Sequence, residues 1–175
     1  YSFPDRTGSP IGVAADGVAR IYIKVKLNQS DKVPTVKVEL SADEINYSSA
    51  ALTTYLGKVM PATTINNYST EANSANSTIA TSSAMDEEGN VWFWYISPEN
   101  FAEGGKNSPF AYKSERTVKA KISVSYAGVT TTTEAIQNIK IVRPPLMMVH
   151  GLGGNAGSFN KFHYNYNNVD YYFSN

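Results

Sequence analysis

Cysteine is absent from this chain of 175 residues. That excludes a disulfide framework, a thiolate nucleophile and a Cys-based zinc site, and it leaves the redox compartment open. Charge of one sign is absent as well, because 15 Lys+Arg balance 15 Asp+Glu. No basic field announces nucleic acid or an anionic membrane surface. Histidine is scarce: His150 and His163 are the two in the chain, and their spacing forms no standard ligand pair. Neither a metal nor a cofactor is expected. No apolar run approaches the roughly 18 residues of a membrane span. No basic segment followed by an apolar stretch opens the chain, as a signal peptide would. The first residue is Tyr1 rather than Met, and the last residues stop shortly after a new glycine-rich turn, so the sequence reads as a piece of a longer protein.

What is present is β-forming. Charged residues make up 17% of the chain, Asn, Ser and Thr are frequent, and β-branched residues recur in short alternating runs. This is the look of an all-β, exported protein. Pro4, Gly8 and Pro10 punctuate an irregular or edge segment up to Gly12. After a turn at Ala15-Asp16-Gly17, the residues Ile21, Ile23, Val25 and Leu27 alternate with polar neighbours, and Val36, Val38 and Leu40 repeat the pattern. Residues 41–80 carry no decisive period and fit either short strands or a helical turn. The interval from Asn66 to Ser83 reads as a long surface loop or a weak strand. A turn at Asp86-Glu87-Glu88-Gly89-Asn90 then opens Val91-Trp92-Phe93-Trp94-Tyr95-Ile96, the most β-prone run in the chain, which Ser97-Pro98 closes. Finally Val118 to Tyr126, a turn at Ala127-Gly128, and Val129 to Val142 read as an antiparallel hairpin.

About seven strands, with no long helical period before residue 145, imply two packed sheets of immunoglobulin-like type. Two patterns sharpen this: Ala15-Asp16-Gly17-Val18-Ala19 at a strand entry, and Asp86-x-x-Gly89-x-Val91-x-Phe93-x-Tyr95-x-Ser97-Pro98. Over scattered positions of residues 10–142 they resemble the bacterial immunoglobulin-like group 1 domains of invasin and intimin. That family needs no inter-sheet disulfide, in keeping with the missing cysteine.

A second organisation begins at Arg143-Pro144-Pro145. Leu146 to Val149 is a short apolar run opened by prolines and closed by glycines, as a buried strand feeding a helix would be. The turn His150-Gly151-Leu152-Gly153 resembles the apolar-His-Gly-x-Gly opening of lipase and esterase α/β-hydrolases. The resemblance implies that the Leu152 amide is one donor of an oxyanion hole, and that His150 holds the turn rather than acting as the triad base. Glycines Gly151 and Gly153 with Ala156 also satisfy a relaxed dinucleotide fingerprint, but no clean acidic partner follows at the expected distance. A P-loop is excluded, since no Gly-Lys-Ser/Thr follows the glycines. The serine elbow G-x-S-x-G does not occur in these 175 residues.

The expected division is therefore a sandwich over residues 1–142 and, over 143–175, a linker with the truncated first strand and turn of a hydrolase domain. The implied protein is a secreted or cell-surface bacterial lipase or esterase, whose partners are the rest of its hydrolase domain and an ester or lipid substrate. This piece alone should be inactive. The alternative is an adhesin-like or carbohydrate-binding module. For it, Trp92 and Trp94, which share the strand face opposite Val91, Phe93 and Tyr95, would form a stacking platform. The plain counter-reading puts both indoles under a loop such as 99–112. Asp86, Glu87 and Glu88 read as turn chemistry rather than a Ca²⁺ loop. The Tyr- and Asn-rich tail from His163 carries no interpretable pattern.

Overall fold

A computed structural model describes residues 12–27, 32–42, 52–62, 76–101, 113–128, 132–144, 163–166 and 169–172. Among them the chain is all-β apart from one helical turn and is built on two sheets. One sheet has the order β1-β8-β7-β3-β5, formed by Val13–Ala14, Thr133–Val142, Glu115–Tyr126, Pro34–Ser41 and Ile79–Ser82. The other has the order β2-β6-β4, formed by Arg20–Lys26, Asn90–Ile96 and Lys58–Pro61. Every pairing within them is antiparallel except β1 with β8, where Val13 lies beside Ile141.

Alternation decides which residues enter the core. Ile23 and Val25 from β2, Val36, Val38 and Leu40 from β3, Val118 and Ala120 from β7, and Ile139 and Ile141 from β8 are all buried in one cluster between the sheets. Into the same cluster β6 sends Val91, Phe93 and Tyr95, each completely buried. Burial of one such side chain stabilises by roughly 1.5–3 kcal/mol, so this layer is the main source of stability. The opposite face of β6 is covered too: Trp94 and Ile96 are buried in a second cluster with Tyr22, Met60 and Ala62 against them. Burial on both faces explains why residues 91–96 read as a continuous apolar run instead of alternating.

Residues 41–80 contain both structures that the sequence allowed. Leu52–Leu56 is the helical turn α1, and β4 follows it directly. Gly57 ends the helix with φ 85°, and its N–H donates to Thr53 O at 3.1 Å. A Cβ at Gly57 would lie 2.3 Å from Ile96 O, so left-handed backbone and close approach both demand glycine there. The weak strand expected before Ser83 is β5, at the edge of the larger sheet. Just ahead of it the chain joins the two sheets: Ser77 O accepts from Val59 N–H at 2.8 Å, and Thr78 O accepts from Leu40 N–H at 2.9 Å. The final hairpin forms as expected, with β7 and β8 paired from Glu115–Val142 to Val124–Thr133 and Gly128 in the left-handed region at the turn. The tail, unreadable in sequence, forms a separate antiparallel pair, β9 (His163–Tyr166) with β10 (Val169–Tyr172).

Candidate functional site: the aromatic face of β6 and the exit of the sandwich

Two carboxylates fix the ends of β6. Asp16 Oδ1 accepts from the N–H groups of Val18 and Ala19, at 2.9 and 2.8 Å, and from Ser97 Oγ at 2.9 Å. It thereby ties the turn before β2 to the residue after β6, and Gly17 N–H donates to Pro98 O at 3.0 Å beside it. Desolvation pushes the Asp16 carboxyl up, but the bonds from Ala19, Val18 and Ser97 outweigh it and hold it below its ordinary value. At the other end Asp86 accepts from Trp92 Nε1 at 2.7 Å, from Asn90 N–H at 2.7 Å and from Glu88 N–H at 3.0 Å, and the Asn90 side-chain amide reaches both its oxygens. The Trp92 indole, then the Asn90 side chain and backbone, hold this carboxyl far below the usual carboxylate range. The acidic turn at 86–88 thus spends its leading oxygens on its own donors, as plain turn chemistry requires. Among the described residues no group of His, Asp or Glu converges as a metal site.

Trp92 and Trp94 do share one face, as alternation requires, but their surroundings differ. Trp94 is 1% exposed and stacks on Tyr22 with ring centroids 3.8 Å apart. Trp92 is half-buried: its indole N–H is held by Asp86, Tyr22 meets it edge-on at 5.7 Å, and Lys24 Nζ stands 4.9 Å from its ring. Lys24 also pairs with Glu88 at 3.6 Å. The partly open aromatic surface here is therefore Tyr22 with Trp92, flanked by a cation. Phe101, the first aromatic residue of the loop expected over the indoles, is buried in the main core instead; residues 102–112 lie outside the described residues.

Sequence reasoning missed the polar knot at the exit of the sandwich. Arg116 is 5% exposed and donates to the carbonyls of Tyr55, Phe101 and Asn100. Arg143, the first residue after β8, places its guanidinium 4.3 Å from the Phe101 ring centroid, donates from Nε to Lys113 O at 2.7 Å, and bonds Ser114 O through its backbone N–H at 3.1 Å. The signal was available for Arg116: it has the same parity as Val118 and Ala120, which sends it to the inner face. For Arg143 no periodic signal exists, because it stands outside a strand.

The turn of His150, Gly151, Leu152 and Gly153 lies outside the described residues. A cleft of about 560 Å³ opens between the sheets where β2 faces β8, with Ile21, Ile23, Ile122 and Ile139 among its walls. Comparison with protein-family models, curated proteins and solved structures returns no match. Among the described residues no helix is long and apolar enough to cross a membrane.

Proposed function

We propose that this chain is the immunoglobulin-like accessory module of a secreted bacterial lipase or esterase, joined through Arg143-Pro144-Pro145 to the opening strand and turn of an α/β-hydrolase domain. One observation carries the reading: among the described residues both sheets are built from strands between Val13 and Val142, and Arg143 donates to Lys113 O and Ser114 O just after the last of them. In sequence the glycine turn follows the last of these strands, which supports a division near Arg143. The strand order β1-β8-β7-β3-β5 against β2-β6-β4 supports an immunoglobulin-like topology. So do the two carboxylate knots, which are made by residues of the two patterns resembling invasin and intimin.

In this reading the intact enzyme attacks an ester with a serine activated by histidine, and the Leu152 amide is one donor to the tetrahedral oxyanion. The sandwich carries that domain and contributes no reacting group. The 175 residues alone should hydrolyse a chromogenic short-chain ester only at background rate, whereas a chain extended through a downstream reading frame should supply a G-x-S-x-G and turn the ester over. Sustained turnover by the 175 residues alone, or a downstream frame that begins another alternating strand set, would overturn the assignment.

A second reading is favoured by the half-buried Trp92 beside Tyr22 and Lys24, which suits stacking on a sugar ring at a cell surface. A glycan-binding screen of Trp92→Ala and Tyr22→Ala tests it. Loss of a glycan bound by the unaltered chain supports the surface module, and unchanged binding removes this platform.

A further inference from the structure

Two arginines meet one aromatic ring where the chain leaves the sandwich. The guanidinium carbons of Arg143 and Arg116 stand 4.3 and 5.5 Å from the Phe101 ring centroid, and Phe101 is completely buried in the main core. A cation this close to an aromatic ring is attracted to it, the more so as water is excluded. Arg143 also holds the start of β7. Its Nε donates to Lys113 O at 2.7 Å, and its backbone N–H donates to Ser114 O at 3.1 Å, one step beyond the last pair of the β7–β8 ladder, Glu115 with Val142. One side chain therefore touches Phe101, shortly after β6, and Lys113, just before β7.

The Phe101 end is tied further in. Arg116 donates to Phe101 O, Asn100 O and Tyr55 O, and Asn100 N–H donates to Thr54 O at 3.1 Å. Thr54 and Tyr55 belong to α1, so a continuous set of contacts runs from the residue after β8, through Phe101, to the helical turn. The backbone narrows the exit as well. Pro144 follows Arg143, and a residue before proline is confined largely to extended conformations. Arg143 is thus constrained through its side chain, its N–H and its successor.

We infer that Arg143 is a latch that joins the exit of the sandwich to the chain after β6 and to α1, so that these segments open together and the chain leaves in one direction. Strand ends ordinarily open locally at little cost. Here opening requires the Arg143 side chain to leave Phe101 and Lys113 at the same time, and it withdraws a cation from the ring beside which Asn100 and Arg116 are bonded. With the latch closed, Pro144 starts from a fixed point on the core instead of from a frayed strand end. The inference concerns the joint itself and holds whatever domain follows it, so it stands or falls separately from the hydrolase reading.

The test compares the full 175-residue chain with Arg143→Gln, which removes the cation and keeps the backbone N–H that bonds Ser114 O. Trypsin should cut the Lys113–Ser114 bond of the variant about 10- to 100-fold faster, the change in open population that matches one lost hydrogen bond to a charged donor. Cutting after Lys32, beside the opposite end of β7 where Pro34 pairs with Tyr126, should keep its rate. Amide hydrogen exchange should rise by a similar factor at Asn100, whose N–H bonds Thr54 O and responds to Arg143 through Phe101, and should stay unchanged at Val38 in the larger sheet. An unchanged rate at Lys113 would mean that there is no latch, and an unchanged rate at Asn100 that the latch is not coupled to α1. An equal rise at Val38 would show a general loss of stability in place of a local release. Each of these three results would overturn the inference.

Discussion

The indole N–H of Trp92 donates to Asp86 Oδ2 at 2.7 Å, so the side chain that looks most available for ligand stacking is also the side chain that closes the turn before its own strand. The turn is consequently charge-dependent. Asp86 must be ionised to accept from Trp92, Asn90 and Glu88 together, and its folded pKa is depressed well below the ordinary value. A depressed carboxyl contributes stability that is fully present above its unfolded pKa, near 4, and is lost as pH falls through the folded value. Asp16 is shifted in the same direction. Chemical denaturation from pH 7 to pH 2 should therefore show stability falling below about pH 4. Asp86→Asn should lower stability at pH 7 and flatten that acid limb. An acid limb of unchanged steepness in Asp86→Asn would contradict the assigned role.

Arg116 should behave as a structural cation. Replacing it by Met keeps the apolar stem but leaves the carbonyls of Phe101 and Tyr55 without their charged donor. Hydrogen bonds to charged groups contribute about 1.5–3 kcal/mol each, so a loss of about 3 kcal/mol is expected from the urea midpoint at constant m-value. A loss within about 0.5 kcal/mol, the range of ordinary surface substitutions, would show that the knot is dispensable.

The two tryptophans should separate in a stability assay. Trp94 is 1% exposed, and truncating it to Ala should cost about 3–5 kcal/mol, the range for a buried aromatic residue. Trp92→Ala should cost less, about 1.5–3 kcal/mol, the range of the one hydrogen bond to a charged group that it loses. Equal losses would contradict the different burial of the two indoles on the face they share. The same difference makes Trp92, and not Trp94, the usable probe in a binding experiment.

Much of the sandwich was legible because period-two burial leaves a direct trace: Ile23, Val25, Val36, Val38, Val118, Ala120 and Ile139 enter the core as their alternation requires. The turn carboxylates Asp16 and Asp86 were legible as turn formers, yet their long-range partners were not. Nothing in local sequence says that Asp16 accepts from Ser97, 81 residues away. The helix Leu52–Leu56 and the strand Lys58–Pro61 stayed ambiguous because each is shorter than the window in which a period can be counted. The different fates of Trp92 and Trp94 were hidden for another reason. Alternation assigns a face, whereas burial on that face depends on Tyr22, Met60 and Ala62 from other segments. The turn at His150 to Gly153 was read from its residues alone and lies outside the described structure.

That turn offers the most direct measurement of the central claim. Leu152→Pro deletes the amide N–H proposed as an oxyanion donor and leaves His150, Gly151 and Gly153 unchanged in sequence. The chain extended through its downstream reading frame should be assayed for chromogenic ester hydrolysis with and without this substitution, with circular dichroism confirming that both forms fold. The predicted result is a fall in kcat of about 10²–10³, the range for losing one oxyanion donor. Equal turnover in both forms, or no ester hydrolysis by the folded extended chain, would contradict the account.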